Sequence, residues 1–217
     1  MGFLAIVGFI VFMAIIIFVV QYFSKKAIVK RKLKKTPKKP IRLVQTNEVV
    51  RITGKVESVG DLLIAPLSGR KCVYYYVLVQ IQRSTGKSTS WTKLIEEEVP
   101  GKFLVRDGDN YAVVDTNDVK SYIVQDKNYS SGFRKDAEQQ LEAYLQSHGH
   151  SSTGFLGMNK ALRYKEGILE VGEMITVAGK AEWRNINAAT ISSDRILTIK
   201  PTDKSPVYLS DDPEVLN

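Results

Sequence analysis

The sequence predicts a mainly β fold with one helix: an α+β domain built as a small OB-like barrel or curled sheet, set behind an N-terminal transmembrane helix. Three observations carry that prediction. Every residue from Phe3 to Val20 is apolar or Gly. Beyond Leu43 the chain turns to short alternating segments punctuated by Gly, Asp and Pro. Asn47–Glu57 also aligns without gaps to Gly172–Glu182, with Glu, Gly, Lys and Glu identical. Two strands sharing an interior glycine imply two equivalent bends, as closure of a sheet requires.

The apolar run reads FLAIVGFIVFMAIIIFVV and continues through Gln21, Tyr22 and Phe23 before the first charge, Lys25. A helix over about residues 3–23 rises about 31 Å, close to the hydrocarbon thickness of a bilayer. Tyr22 and Phe23 then fall where interfacial aromatics belong. A cleaved signal peptide would carry positive charge ahead of the run, and none precedes it here.

Residues 25–42 are expected to form a polybasic juxtamembrane linker. Lys25, Lys26, Lys30, Arg31, Lys32, Lys34, Lys35, Lys38 and Lys39 make the densest basic run of the chain. These nine are the candidate membrane-surface residues, and anionic lipid headgroups are their expected partner. By the positive-inside rule they stay in the cytoplasm, with a short N-terminus outside, in a membrane expected to be a prokaryotic plasma membrane. Pro37 and Pro40 should end any helix and stiffen the spacer.

The body is expected over 43–200, with an irregular tail at 201–217, and should fold without the anchor. Val49–Glu57 alternates, and Leu62–Ile64 follows Gly60-Asp61. Cys72–Arg83 (CVYYYVLVQIQR) is the clearest strand, apolar on one face and turning polar on the other at Gln80 and Gln82. Ser84-Thr85-Gly86-Lys87 reads as a hairpin turn into a strand around Thr89–Glu98. Phe103–Val105 and Tyr111–Val114 flank a second turn, Asp107-Gly108-Asp109-Asn110. Tyr122–Val124, Glu173–Trp183 and Arg195–Lys200 are further strands. One helix is predicted between Ser131 and Gly149, with Phe133, Ala137, Leu141, Tyr144 and Leu145 on one face.

The ordered set of segments from about 45 to 185 resembles the GIDE domain, also called the membrane-beside or BAM domain. That domain occurs in the mitochondrial membrane-anchored ubiquitin ligase family and in many bacterial and archaeal proteins. The resemblance rests on Ala65-Pro66-Leu67-Ser68-Gly69-Arg70-Lys71-Cys72-Val73-Tyr74-Tyr75, on Trp91 before an acidic stretch, and on Phe103-Leu104-Val105 with Asp107. Tyr111-Ala112-Val113-Val114, then Arg163-Tyr164-Lys165-Glu166-Gly167-Ile168-Leu169 with Val171-Gly172-Glu173, and the Val177–Gly179 strand complete it. Where a Pro is common before the last glycine, this chain has Glu170-Val171. The resemblance implies a membrane-adjacent β-rich domain. Ligase members also carry a RING, which needs about eight Cys and His ligands. This sequence has one Cys and two His.

The whole chain carries a formal charge of +8. Ten Lys and Arg lie in residues 1–42 without an acid, leaving 21 basic against 23 acidic residues in the body. A near-neutral body argues against a nucleic-acid partner. His148 and His150 with Cys72 fall short of a four-ligand metal site. Glu96-Glu97-Glu98 reads as a solvated strand end and Tyr74-Tyr75-Tyr76 as aromatic core and rim. No nucleophile motif or phosphate loop appears, and nothing calls for a cofactor. The expected role is a non-catalytic module that binds a protein or ligand at the cytoplasmic membrane surface. The alternatives are an enzyme whose residues are dispersed over strands, an oligonucleotide-binding barrel, and a ubiquitin-ligase label without its RING.

Overall fold

The computed structural model describes residues 2–132, 137–154, 157–185 and 195–216, with side chains from Ile6 onward. Phe133, which the sequence puts on the predicted helix, lies outside the described residues, as does Asn217.

Two helices open the chain, α1 (Gly2–Tyr22) and α2 (Lys25–Lys35). The body then runs β1 (Val49–Ser58), β2 (Leu63–Ile64), β3 (Lys71–Cys72), β4 (Tyr74–Ser84), β5 (Thr89–Pro100), β6 (Phe103–Asp107) and β7 (Asn110–Val114). It continues with β8 (Val119–Tyr122), β9 (Lys127–Ser131), α3 (Gln139–Ser147), β10 (Leu162–Leu169), β11 (Met174–Asn185), β12 (Arg195–Lys200), β13 (Val207–Ser210) and α4 (Pro213–Leu216).

Five strands hydrogen-bond in the order β1-β6-β7-β12-β11, and β1 closes on β11. The fold is thus mainly β around a closed five-stranded barrel. The internal repeat explains the closure. β1 and β11 pair antiparallel, and the equivalent residues Ile52 and Val177 sit directly opposite each other. A local two-fold axis therefore runs between them. Past each repeat glycine the strand takes a new neighbour: Lys55 pairs with Arg106 of β6, and Lys180 with Lys200 of β12.

The glycines are required there. A Cβ on Gly54 would lie 2.2 Å from the Arg106 carbonyl oxygen, and one on Gly179 would lie 2.8 Å from that of Lys200. Val50, Ile52, Val56, Phe103, Ile175 and Leu197 fill the interior. Burying branched and aromatic side chains of this kind stabilises the barrel by about 1.5–3 kcal/mol each.

A four-stranded sheet, β5-β4-β10-β9, forms the second layer. Leu141, Tyr144 and Leu145 of α3 pack on it against Val77, Val79 and Leu162. β4 is buried in its first half and exposed from Gln82 on, as its changing polarity predicts.

Two expectations need correction, and one strand was not foreseen. Residues 25–35 are not a linker: α2 lies against β8, β11, β13 and α4, with Val29 and Leu33 fully buried beside Ala178, Tyr208 and Val215. Two buried apolar residues four apart, with Ile28 packed beside them, are enough to anchor a helix most of whose other positions are charged. The tail is not irregular. Val207, Tyr208, Leu209 and Ser210 are all buried in β13, which pairs with β11 on one side and β8 on the other. Leu162–Leu169, rich in charge at Arg163, Lys165 and Glu166, is a strand because β4 and β9 flank it on both sides.

Among the described residues no single helix is long and apolar enough to cross a membrane; α1 from Ile6 and α2 are so only together, across a 62° bend.

Candidate functional site

The bend between α1 and α2 brings the chain's unusual features together. The Ser24 hydroxyl caps α2, accepting from the Ala27 N–H at 3.2 Å, and donates to the Gln21 carbonyl at 2.8 Å. One side chain thereby links the end of α1 to the start of α2. Arg31 closes the elbow from the other side. Its guanidinium stacks on the Tyr22 ring at 3.8 Å and donates to the Tyr22 carbonyl at 2.9 Å. A cation at the carboxyl end of α1 also meets the negative pole of that helix.

The nine predicted surface cations do not act alike. Lys30 is the most enclosed, its side chain 12% exposed, and reaches Asp212 at 3.2 Å and Glu214 at 2.7 Å. Burial works against its charge, but these two carboxylates outweigh it and raise its pKa. Burial likewise opposes the Asp212 carboxylate, and the Glu214 N–H and Lys30 hold its pKa below the usual range. Lys25 bonds Glu98 at 2.5 Å, Lys39 bonds Glu48 at 2.5 Å, and Lys38 donates to the Leu216 carbonyl at 2.8 Å. Lys32 faces the Tyr208 ring at 5.9 Å, and Lys26 faces Tyr122 at 4.9 Å with Asp212 at 3.9 Å. Lys34 has only a long, exposed contact with Glu214, at 3.7 Å. Lys35 is exposed beside it on the outer side of the helix.

The concave side of the elbow forms an open groove of about 600 Å³. It is lined by Gln21, Ser24 and Ala27 and by five cations: Lys26, Lys30, Arg31, Lys34 and Lys35. Beneath the start of α2 lies a smaller cavity of about 150 Å³ between Lys25, Lys26, Tyr76 and Ser121.

Sequence reasoning missed what the acidic triplet does. Tyr74 bonds Glu98, Tyr75 reaches Glu97 at 3.5 Å, and Tyr76 bonds Glu96 at 2.9 Å. The triplets form a zipper across the β4–β5 hairpin. Strand alternation splits it between two faces. Glu97 turns toward α3, where it accepts from the Tyr144 hydroxyl at 2.7 Å and lies 3.8 Å from His148. Glu98 turns toward α2 and gathers Tyr74, Ser121 and Lys25. Burial and the neighbouring carboxylates push the tyrosine hydroxyls up, Tyr75 to about 12. Part of the signal was present: a hairpin folded at Gly86 brings the two triplets side by side, and the bonds run diagonally, two positions off the register in which Tyr76 faces Glu98.

A second cluster joins the Ala65–Arg70 turn to the end of β10. The Leu67 N–H donates to the buried Glu166 at 2.8 Å. Arg70 pairs with Glu170 and lies 3.7 Å from Asp126. Glu173 and Asp211 are nearby, and burial pushes Asp211 up to about 7. Each of these carboxylates except Glu170 accepts a backbone N–H: Asp126 from Ile168, Glu173 from Glu170 and Asp211 from Val124. They tie loops together. Among the described residues no group of three His, Cys, Asp or Glu could hold a metal ion. Cys72 is fully buried, and burial raises its thiol to about 11, so it holds little thiolate at neutral pH.

No family profile matches this chain, and no curated protein or solved structure does.

Proposed function

We propose that this chain is a single-pass membrane-anchored, non-catalytic β module, which α1 tethers and α2 orients so that it binds a protein or ligand at the cytoplasmic surface. One observation carries the reading. The large apolar side chains of α1 from Ile6 to Val20 are all substantially exposed, between 40% and 66%, although the helix is directly followed by one whose apolar residues are buried. Exposed apolar surface of that extent needs lipid or protein to cover it. The helical backbone from Gly2 to Tyr22 rises about 31 Å, which suits a bilayer. The charge step supports the orientation: no cation before Lys25, and nine from there to Lys39.

In this reading α2 is a bracket. It lies at the membrane surface with its outward cations toward anionic headgroups, while Val29, Leu33, Lys25 and Lys30 grip the body. The GIDE-like order of segments supports the same placement beside a membrane, and an OB-like description of the barrel belongs to this proposal. The dispersed-enzyme alternative has the Arg70 cluster in its favour, because Asp211 near pKa 7 could exchange a proton at neutral pH. The backbone bonds made by Asp126, Glu173 and Asp211 favour a structural role.

The test is extraction and protease accessibility of the full chain in its native membrane. The chain should resist alkaline carbonate, and a C-terminal tag should be cleaved only after permeabilisation. Release by carbonate, or cleavage of the tag in intact cells, would remove the reading.

A further inference from the structure

We infer that the groove in the α1–α2 elbow is a discrete binding site for the phosphate of an anionic phospholipid headgroup. This rests on the membrane reading above but goes further, from diffuse attraction by nine cations to one site with a defined subset. Three features converge there. The first turn of α2, an eleven-residue helix, lines one end of the groove at Ser24, Lys26 and Ala27, so the positive pole of the helix lies at that end. Arg31 is held in place by the Tyr22 ring and carbonyl, and a pre-positioned guanidinium suits a phosphate better than a mobile ammonium. Lys34 and Lys35, one turn on from Arg31, have no short ion pair among the described residues to give up.

Lys30 lines the groove but is committed to Asp212 and Glu214, so it braces the wall and contacts the ligand least. Lys25, Lys38 and Lys39, equally basic in sequence, are bound elsewhere on the body and take no part. The source of the phosphate follows from position. Phe23 is 65% exposed at the hinge, and α1, with its exposed apolar side chains from Ile6 to Val20, ends one residue past Gln21, which lines the groove. A phospholipid can place its phosphate in the groove and its chains along that helix, whereas a free phosphate ester leaves the apolar helix uncovered.

The test titrates short-chain phosphatidic acid, its phosphatidylcholine counterpart and glycerol 3-phosphate into the full chain in uncharged detergent. Phosphatidic acid should bind saturably at one site per chain, glycerol 3-phosphate at least tenfold more weakly, and phosphatidylcholine not at all. Each cation removed should weaken binding about fivefold, so K34Q/K35Q should lose about 25-fold and K34Q/K35Q/R31Q about 125-fold. K34Q/K35Q changes only exposed side chains and should melt like the parent, so its loss is not one of folding. K55Q/K87Q/K102Q, which removes more charge from the body, should bind normally. Equal loss in both sets, or unsaturable binding, would overturn the site. Glycerol 3-phosphate binding as tightly as the lipid would overturn the lipid source. Because the titration runs in micelles, failure of α1 to span a membrane would appear in the extraction test and not here.

Discussion

α1 and α2 are separated by two residues, yet they keep their stability by opposite means. α1 is apolar on all sides and contributes no described side chain to the core. α2 has seven Lys or Arg among eleven residues and still places Val29 and Leu33 among the fully buried side chains of the body. Hydrophobicity therefore does not say which helix belongs to the folded domain. What decides is whether a matching surface exists. For α2 that surface is made by β8 in the middle of the chain and by β11, β13 and α4 beyond it. For α1 the described residues offer none, and in the proposal above a bilayer takes that place.

The sharpest way to break that comparison is to remove the helices in turn. A fragment beginning at Ser24 should retain the stability of the body. A fragment beginning at Pro37, which keeps the buried Ile41 but lacks Val29 and Leu33, should lose about 3–6 kcal/mol, the burial of those two aliphatic side chains, in chemical denaturation. Equal stability of the two fragments would return 25–35 to the status of a linker.

Next in size are single substitutions matched across the bend. Leu33→Ala should destabilise the body by about 2–5 kcal/mol, since a fully buried leucine leaves a cavity. Ile16→Ala on α1 should leave the denaturation midpoint of the body unchanged. A comparable shift from Ile16 would mean that α1 also packs on the domain.

A smaller effect separates apolar grip from ionic grip. Asp212→Asn keeps an oxygen for the Glu214 N–H but leaves Lys30 half-paired, at an expected cost of about 1–2 kcal/mol. The loss should shrink when Lys30 is changed to Met as well, and additive losses would show the pair to be uncoupled.

The smallest effect concerns pH. Asp211 has a folded pKa raised by burial to about 7, above its unfolded value, so the folded state holds a proton that the unfolded state has released. Its contribution to stability is present at low pH and declines as pH rises from about 4 to 7. Asp211→Asn removes that decline, and the variant's melting temperature should gain on the parent by a few degrees between pH 5 and pH 8. A gap that does not change with pH would place Asp211 in solvent.

Much of the body was legible because its signals are local. The alternation of Val49–Glu57, the turn at Gly86 and the switch to polar residues at Gln80 each need only neighbouring residues. β1, β4 and β5 fall close to where those patterns put them. The repeat was legible too, and its glycines mark the places where each strand changes partner. β13 was not, because PVYLS is too short to show a period and is a strand only through β11 and β8.

The candidate site divides along the same line. By itself the sequence determined that an apolar segment is followed by concentrated positive charge, and that the body beyond is near neutral and mainly β. Composition and short-range periodicity suffice for those, since each depends on residues within a few turns. Only the tertiary structure decided which cations are committed and which are open. Lys30 and Lys34 are the same residue type on the same flank of α2, but Asp212, 182 positions beyond Lys30 in the chain, encloses one and barely concerns the other. An ion pair is a matter of distance in space, and that distance is set by where β13 and α4 come to rest.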